Sequence, residues 1–392
     1  MLAIEKFIKE NENWKELIQQ APYFLKIDED EDYALIKYDM INSDFTQEIV
    51  NECRGIIIDK HTNKAHALSF KKFFNIQEEL HADIDWKTAR VQEKVDGSKI
   101  LYWYNEYKNE WQVSTSGTLD AYKAQVNDNG ITFAQLFYTA LLNSIKVGVT
   151  DFEKLHAFNQ VLDDQYCYTF ELVSPESRIV VPYKKTELYF IGLRSTGGFT
   201  EFKTEDSVLS SLLKTPKSYP LHTLEDCLKA TEKMGFDEEG FVVVDDNWNR
   251  VKIKSPEYVL AHHARANGAT SISRVLEMIE NGYDKDFLKI YPEYTEKFDN
   301  VREAKSNFEN RLRVRILNLK EELIDKYGLD RKAIANYVQV NDKDIASFLF
   351  KFIDTDLIQL YIDTEWGKLP KNRKLKYLGF KEEKDADEFK EE

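Results

Sequence analysis

Cysteine is nearly missing from this chain, and so are long apolar runs. The 392 residues include only 3 cysteines, scattered without the spacing of metal ligands at Cys53, Cys167 and Cys227. This argues against a zinc site or a disulfide framework and indicates a reducing compartment. No apolar stretch approaches the ~20 residues of a membrane-spanning helix, and the opening residues MLAIEK place charges where a signal peptide needs an apolar run. We therefore expect a soluble, cytoplasmic protein with no membrane contact.

Positive charge is also in short supply. Lysine and arginine number 54 against 69 aspartates and glutamates, which gives a formal net charge of -15. Because phosphate binding relies on lysine and arginine, this balance argues against a nucleic-acid partner. An acidic protein can still hold a basic cleft, so net charge alone excludes nothing. The apolar share of 42% indicates a globular fold.

Two familiar nucleotide-binding patterns are missing as well. The sequence contains neither the P-loop pattern nor the glycine fingerprint of dinucleotide-binding folds. The adjacent His262 and His263 do not suggest a metal site, because neighbouring residues on a helix do not face one another. If the protein uses a nucleotide, it does so through a different fold.

The patterning changes once along the chain. Up to residue 255, β-branched and aromatic runs such as 56–58, 166–172 and 241–244 alternate with turn residues and with helical patterns at 2–20 and 131–145. This predicts an α+β fold built mainly on antiparallel sheets. Amphipathic segments follow, of which 294–327 is the longest. We therefore predict a first domain at 1–255, an all-α C-terminal domain at 256–380 and a charged, solvated tail at 381–392.

One short stretch suggests chemistry. Residues 93–98, EKVDGS, lie between two strand-like runs. A lysine fixed at such a place suits a nucleophile that attacks a nucleotide phosphate, although Lys-x-Asp-Gly recurs by chance and Asp-Gly is a common turn. Since a free lysine has a pKa of about 10.4, a nucleophilic Lys94 must be desolvated or lie beside cations that lower its pKa.

Lys252 and Lys254 could supply those cations. They alternate on a predicted strand, so their side chains share one face. They would also bind a triphosphate and stabilise a leaving pyrophosphate. The alternative is an exposed edge strand with solvated lysines.

Further charged residues stand beside predicted strands. Glu239 could approach a ligand or a divalent metal at the start of its strand, or it could belong to an acidic turn. Glu171 lies in an apolar strand and needs a partner, either a ribose hydroxyl, a cation or, structurally, Arg178. Arg54 suits phosphate oxygens. Lys72 adds a cation beside two aromatic residues, which could instead be a core pair with solvated lysines around it.

The order of these pieces is more specific than any one of them. Between residues 54 and 254 the chain carries, in this order, Arg-Gly, Lys-Phe-Phe-Asn, Lys-x-Asp-Gly-Ser, Phe-Glu-Leu-Val-Ser-Pro, Glu-Gly-Phe-Val-Val and Val-Lys-Ile-Lys. Over residues 30–260 it resembles the covalent nucleotidyltransferases, and among them the ATP-dependent RNA ligases of the phage tRNA-repair type, the RNA ligase 1 branch. The stretches 52–55, 72–75 and 170–183 favour that branch over DNA ligases.

The resemblance implies a role for each position. Lys94 would become lysyl-AMP, and Glu239 would be the carboxylate of metal-assisted catalysis with Mg²⁺ or Mn²⁺. Lys252 and Lys254 would hold the phosphates, both as catalytic and as nucleotide-binding residues. The other nucleotide-binding positions, among them a ribose-side glutamate, a glycine of close backbone approach and a candidate adenine contact, are Arg54, Lys72, Glu93, Gly97, Glu171 and Tyr189.

The implied reaction joins a 5′-phosphate and a 3′-hydroxyl end of RNA at the expense of ATP. It would pass through lysyl-AMP and an RNA-adenylate, with tRNA as one candidate RNA. The resemblance also implies a monomer, in a host cytoplasm if a phage encodes it. The alternative is a relative that binds a nucleotide or an RNA end without completing ligation, and a GTP-using capping enzyme is a third reading.

The C-terminal half and one departure from the pattern bear on the substrate. DNA ligases and capping enzymes usually carry a β-barrel after the lysine-pair strand, so the helical pattern here favours RNA ligase. RNA could bind basic residues that otherwise form a solvated face, namely Arg311, Arg313, Arg315, Lys368, Lys371, Arg373, Lys374 and Lys376. The branch tends to carry a lysine before the glycine that follows the nucleophile strand. Here Ser116 precedes Gly117, which puts a substrate or phosphate contact in doubt.

Overall fold

The computed structural model describes residues 1–126, 130–266, 271–282, 284–327, 330–342, 345–349 and 358–380. The chain divides into two compact units between His262 and His263. The boundary expected after residue 255 lies earlier than this division, because helix α8, Pro256–Ala266, begins within the first unit. The charged tail predicted at 381–392 lies outside the described residues.

The first unit mixes strands and helices. Its strands are β1 (Lys26–Glu29), β2 (Tyr33–Lys37), β3 (Arg54–Asp59), β4 (Lys64–Ala67), β5 (Phe74–Asn75), β6 (Arg90–Glu93), β7 (Ser98–Asn105), β8 (Glu110–Thr115), β9 (Tyr166–Val173), β10 (Glu187–Ser195), β11 (Glu201–Phe202), β12 (Ser218–Tyr219), β13 (Gly240–Val244) and β14 (Arg250–Lys254). Its helices before α8 are α1 (Ala3–Glu10), α2 (Trp14–Ile18), α3 (Glu48–Glu52), α4 (Phe133–Ser144), α5 (Asp151–Asn159), α6 (Leu209–Leu212) and α7 (Leu224–Thr231), with a 3-10 turn at Thr204–Asp206.

The strands form three sheets. Their orders are β1-β2-β3-β4, β11-β10-β9-β7-β8 and β12-β6-β13-β14-β5. Among the described strand pairs β14 and β5 run parallel, and the others are antiparallel. This confirms the mixed helix and antiparallel-sheet fold that the β-branched runs predict.

Helix α4 shows how the apolar pattern produces the core beside the five-stranded β9 sheet. Thr132 caps it by accepting a hydrogen bond from the backbone N–H of Gln135. Phe137 on its buried face contacts Tyr102 of β7 and Phe170 of β9, with ring centroids 5.2 and 5.6 Å apart. The helical patch expected at 131–145 is therefore confirmed. It covers one face of the sheet whose strand β7 begins just after Lys94.

The described elements of the second unit are helical. They are α9 (Ile272–Asn281), α10 (Asp284–Ile290), α11 (Thr295–Tyr327), α12 (Arg331–Asn341), α13 (Ala346–Leu349), α14 (Ile358–Gly367) and α15 (Lys371–Tyr377), with a 3-10 turn at Pro292–Tyr294. The apolar side chains spaced along α11 are all buried in one cluster, namely Phe298, Val301, Phe308, Leu312, Ile316, Leu319 and Leu323. The long helix expected at 294–327 is confirmed. Within the described ranges, no helix is both long and apolar enough to span a bilayer.

Candidate active site

Lys94 lies in the link between β6 and β7, where the backbone of β13 holds it. Its N–H donates to the carbonyl of Gly240 at 2.8 Å. Its ammonium donates to Glu239 Oε2 at 2.7 Å, and the Glu239 side chain is only 3% exposed. Gly240 has a φ of +129°, and a Cβ there would collide with the carbonyl of Ile253 on β14. Glycine is therefore needed where Glu239 turns into the strand.

Glu239 also binds a second lysine from the neighbouring strand. The Lys254 ammonium lies 3.1 Å from Glu239 Oε1. Burial raises the pKa of Glu239, but the charges of Lys94 and Lys254 outweigh burial, so its pKa lies below the ordinary value. The carboxylate is thus ionised and held between two ammonium groups.

The pKa of Lys94 moves opposite to expectation. Burial lowers it, but attraction to Glu239, Glu171 and Asp96 outweighs burial, so the pKa of Lys94 lies above its ordinary value. The expectation that neighbouring lysines depress this pKa is wrong. The reason is that a carboxylate, not an ammonium, is the direct partner of Lys94.

The lowered pKa belongs to Lys252 instead. Burial, together with repulsion from Lys94, Lys72, Arg54 and Lys254, lowers the pKa of Lys252 to about 7. Five cations named from the sequence therefore act on one another through space. Such a cluster has the charge to bind a polyphosphate.

Aromatic side chains hold two of these cations. The Arg54 guanidinium lies 4.9 Å from the Phe73 ring centroid. The Lys72 ammonium lies 4.8 Å from the Phe45 ring, 5.2 Å from the Tyr38 ring and 5.5 Å from the Phe74 ring. The aromatic residues at 73 and 74 thus serve as cation supports, which favours the functional interpretation of this stretch over a plain core pair. Lys72 also approaches the Met40 sulfur at 3.6 Å.

The carboxylates predicted from the sequence lie on both sides of Lys94. Glu93 ends β6 opposite Phe241, and its backbone N–H donates to the carbonyl of Lys217 at 2.7 Å. Glu171 lies opposite Lys99 on neighbouring strands and acts on the charge of Lys94. Both therefore border the same lysine.

Gly97 and Tyr189 complete the predicted set. A Cβ at Gly97 would lie 2.5 Å from the carbonyl oxygen of Leu172, so glycine lets β7 start close beside β9. The close approach here is made by this protein's own backbone. Tyr189 lies opposite Glu171 on β10, with the Lys214 ammonium 5.5 Å from its ring.

A small cleft opens at Lys94. Besides Lys94 and Glu239, its walls include Tyr183, Tyr219 and Met234. Burial raises the pKa of Tyr183 and of Tyr219. None of these three side chains was predicted, because no local pattern, not even in the 170–183 stretch that ends at Tyr183, marks them as facing Lys94. Their flat and apolar surfaces suit a nucleobase or a ribose.

A buried contact between Asp96 and Tyr258 was also missed. Asp96 accepts the Tyr258 hydroxyl at 2.7 Å and the backbone N–H groups of Val180 and Val181 at 2.9 and 2.7 Å. Burial and the charge of Glu239 raise the pKa of Asp96. The signal available in the sequence was the position of Tyr258, which lies in the first turn of α8, four residues after Lys254 ends β14.

An ammonium does stand beside Gly117, where the sequence departs from the family pattern. The Lys37 ammonium of β2 lies 2.8 Å from the point that a Cβ of Gly117 would occupy. Its charge contributes to lowering the pKa of buried Lys99. A lysine from another strand thus lies beside Gly117, the residue that follows Ser116.

Four of the eight basic residues expected to bind RNA in the second unit have described acidic partners. Lys371 lies 2.6 Å from Glu277, Lys374 lies 2.8 Å from Glu280, and Lys368 lies 2.6 Å from Glu365. Arg315 binds Asp342 at 2.7 Å. These pairs favour the solvated-face alternative for Lys368 and Lys371, whereas Lys374 is buried against its partner and Arg315 is partly buried. No cluster of three or more metal-ligating side chains occurs in the described parts of either unit.

Comparison with known proteins finds relatives from a virus and a phage. The chain is 29% identical over 333 residues to a protein of Autographa californica nuclear polyhedrosis virus named as a bifunctional polynucleotide kinase/RNA ligase, across 81% of this chain but 46% of that protein. It is 26% identical over 376 residues to the RNA ligase of Rhodothermus phage RM378, across 78% of this chain and 81% of that one. The chain thus spans less than half the length of the first of these relatives.

A solved structure and a family model were also matched. The Naegleria gruberi RNA ligase with pyrophosphate aligns with a TM-score of 0.34 and 14% identity, over 45% of this chain and 52% of that one. The family model described as RNA ligase matches residues 52–258, which is more than half of the 392 residues and contains every candidate site residue. This chain belongs to the RNA ligase family.

Proposed function

We propose that this protein is an ATP-dependent RNA ligase of the RNA ligase 1 branch, which joins 5′-phosphate and 3′-hydroxyl RNA ends through lysyl-AMP and RNA-adenylate. The observation that carries the proposal is the arrangement of Lys94, which is paired with buried Glu239 at 2.7 Å and stands within a cluster of cations. A nucleophilic amine beside phosphate-binding cations is what attack on an α-phosphate requires.

Each residue has a part in the first step. Lys94 would lose its proton and attack the α-phosphate of ATP, forming a P–N bond while the bond to pyrophosphate breaks. Lys252 and Lys254 would balance charge on the departing pyrophosphate. Arg54 and Lys72 would orient the phosphates, because their aromatic supports limit how far the cations move. Glu171 would bind the ribose, and Glu93, Gly97 and Tyr189 would border the base.

The site fits a divalent cation. Glu239 is an ionised, buried carboxylate whose two oxygens already bind two ammonium groups, and Mg²⁺ or Mn²⁺ is usually held by one or two carboxylates together with substrate phosphates and water. The cation would neutralise charge on the phosphates. Glu239 would then leave Lys94, which would remove the attraction that raises the lysine pKa.

The other two steps would act on RNA ends. The adenylate would move from Lys94 to the 5′-phosphate of an RNA end, and a 3′-hydroxyl would then displace AMP. We also propose that the helical unit is an all-α domain that sets the preferred RNA, with tRNA ends as candidates, and that the protein acts as a monomer in the cytoplasm of its host. The residues left for RNA contact are those without a described acidic partner, such as Arg311 and Lys376.

The decisive experiment is labelling with α-³²P-ATP and Mg²⁺, followed by denaturing electrophoresis. The wild type should carry a label on Lys94 that is stable to alkali and labile to acid, as expected for a P–N bond. Lys94→Ala should carry none, while Lys87→Ala, which removes an exposed lysine just before β6, should be labelled like the wild type. An unlabelled wild type, or equal labelling of Lys94→Ala, would reject the proposal.

A second assay separates ligation from binding. A 5′-phosphorylated RNA with a 3′-hydroxyl should be circularised or joined by the wild type, with RNA-adenylate visible as an intermediate. A protein that labels Lys94 but never joins RNA would be the inactive or sensing relative that the sequence left open. Labelling by GTP and not ATP would favour a capping enzyme.

A further inference from the structure

A buried cluster of three charged side chains lies at the start of β14, at the far end of the strand from Lys254. The Glu201 carboxylate, 2% exposed, binds two guanidinium groups. Arg250 Nη1 donates to Glu201 Oε2 at 3.0 Å and its Nη2 donates to Oε1. Arg194 Nη2 donates to Oε2 at 3.0 Å. Two planar forks on one carboxylate fix its position from two sides.

The cluster joins two sheets of the first unit. Arg194 and Glu201 lie opposite each other on β10 and β11, in the sheet that contains β7. Arg250 begins β14, in the sheet that contains β6 and β13. Because Lys94 connects β6 to β7, the same two sheets meet at the proposed nucleophile. The cluster is therefore a second tie between the sheets that hold the site.

Strand β14 connects Arg250 to the proposed phosphate-binding lysines, so a shift of Arg250 should also move them. Arg250, Lys252 and Lys254 alternate along β14 and share one face, while Val251 and Ile253 on the other face are fully buried. A strand that is buried on one face and hydrogen-bonded on both edges cannot shift at one end alone. Loss of the Glu201 contact should consequently displace Lys252.

A series of aromatic contacts provides a second connection between the buried cluster and the cations. The Arg250 guanidinium lies 4.5 Å from the Phe70 ring centroid, and Phe70 meets Phe73 edge to face at 6.4 Å. The Phe73 ring in turn lies 4.9 Å from the Arg54 guanidinium and 5.7 Å from the Lys252 ammonium. Packed contacts thus run without a gap from the buried cluster to two cations of the proposed ATP site.

We propose that Glu201, through Arg250, is a positioning residue that sets the place of Lys252 and Arg54 for the phosphates of ATP. The inference rests on the proposed function, because it assigns these cations to ATP. Glu201 touches no phosphate and takes no part in bond making. Its removal should weaken the use of ATP without preventing the chemistry.

The test measures how fast Lys94 is labelled at increasing ATP concentration, after pyrophosphate treatment has removed any AMP already bound. For Glu201→Gln and Arg250→Met, the ATP concentration that gives half the maximal rate should rise about tenfold, as expected when charged contacts lose their alignment. The labelled fraction at saturating ATP should stay as in the wild type. Arg250→Lys keeps the charge but loses the fork, so it should lie between Arg250→Met and the wild type.

Two comparisons distinguish positioning from simple stabilisation. Asp245→Asn changes another buried carboxylate of the β13–β14 hairpin, which accepts the N–H groups of Asn247 and Asn249, so it should lower the melting temperature but leave ATP dependence unchanged. In a Lys252→Met background, Glu201→Gln should raise the ATP requirement by a smaller factor than in the wild type, because part of its effect acts through Lys252.

The outcomes are separable. The positioning role is wrong if Glu201→Gln lowers only the labelled fraction or keeps the ATP dependence of the wild type. It is also wrong if Glu201→Gln raises the ATP requirement by the same factor in the Lys252→Met background as in the wild type. The proposed function stands in each of these cases. If the wild type is not labelled at all, the proposed function fails first. Should Glu201→Gln not fold, Arg250→Lys carries the same test, since it retains the charge balance of the cluster.

Discussion

The Lys94 ammonium and the Glu239 carboxylate bind each other at 2.7 Å in a site where both are largely buried. Each raises the charged fraction of the other, since the pKa of Lys94 lies above its ordinary value and that of Glu239 below. The proposed nucleophile is therefore an ammonium paired with a carboxylate, and the proposed attack on ATP would require Lys94 to lose that proton. This arrangement would protect the lysine from reacting with other electrophiles.

Glu239→Gln should make the Lys94 amine more reactive while abolishing adenylation. Without the Glu239 charge, which raises the pKa of Lys94 more than any other charge does, burial should lower that pKa. More free amine is then present at mildly alkaline pH. The measurement is the rate of trinitrobenzenesulfonate modification, followed by mass spectrometry of the Lys94 peptide. Glu238→Gln, an exposed neighbour, serves as the control. Slower modification of Lys94 in Glu239→Gln than in the wild type would contradict this account of the pair.

Binding of ATP should weaken as pH rises through about 7. The pKa of Lys252 is lowered to about 7, so the side chain is an ammonium below that pH and neutral above it. The affinity of a non-reactive α,β-methylene ATP analogue, measured by calorimetry, should fall across this range in the wild type. Lys252→Arg stays charged and should bind with little pH dependence. Equal pH profiles for the wild type and Lys252→Arg would show that Lys252 does not contact the phosphates.

The same lysine contributes to stability with a definite sign. Its folded pKa of about 7 lies below the ordinary value of 10.5, so the unfolded chain binds more protons between those two values. The Lys252 contribution to the free energy of unfolding should therefore rise with pH across that window. Lys252→Met should remove this rise in urea unfolding curves taken at several pH values.

Gly97→Ala should destabilise the first unit by about 1–3 kcal/mol, the usual cost of forcing an extra group into a packed site. The new methyl group would lie 2.5 Å from the carbonyl oxygen of Leu172, and neither backbone can yield without separating β7 from β9. Gly197→Ala is a matched control, because nothing lies within 4 Å of its added Cβ. Urea unfolding of both variants measures the difference. Similar stabilities would mean that the β7–β9 contact yields easily.

Local patterns were enough to predict the charged positions and the long helix. The alternation of Lys252 and Lys254 depends only on strand geometry, and the buried residues of α11 follow from helical spacing. Helix α5 was overlooked, although the capping pair Thr150 and Glu153 signals its start. The single helical pattern at 2–20 forms two helices instead, since the link at Asn11–Asn13 favours turns.

Other features depend on contacts between distant parts of the chain. Which lysine has the lowered pKa follows from burial and from the charges around each one, carboxylates around Lys94 and cations around Lys252. Spacing in the sequence does not give these surroundings. The contact between Asp96 and Tyr258 joins residues that are 162 positions apart in the sequence. The Lys37 ammonium reaches Gly117 from a strand that carries no family motif.

Tyr258→Phe should cost about 1–3 kcal/mol of stability, because a buried carboxylate loses a hydrogen-bond donor. The pKa of Asp96 is already raised by burial and by Glu239, and loss of the hydroxyl should raise it further. A carboxyl whose folded pKa is raised favours folding at low pH and loses that contribution as pH rises through the folded pKa. The deficit should therefore be smaller at acidic pH than at neutral pH. Tyr122→Phe, at a tyrosine that is 57% exposed, should show no deficit at either pH.

Lys37→Met should slow RNA joining, because the Lys37 ammonium lies beside Gly117, next to the position where the family pattern has a lysine. The Lys37 ammonium lies 2.8 Å from the Cβ position of Gly117, so a lysine at the preceding Ser116 could bring its own charge to the same loop. We expect Lys37→Met to slow RNA joining about tenfold, the size of effect that a misplaced charged contact produces, and Ser116→Lys in that background to restore part of the rate. Labelling of Lys94 and joining of RNA, measured side by side, tell which step uses the charge. If Lys37→Met joins RNA at the wild-type rate, the departure at Ser116 has no counterpart on β2. In that case the branch's lysine contact is absent from this protein.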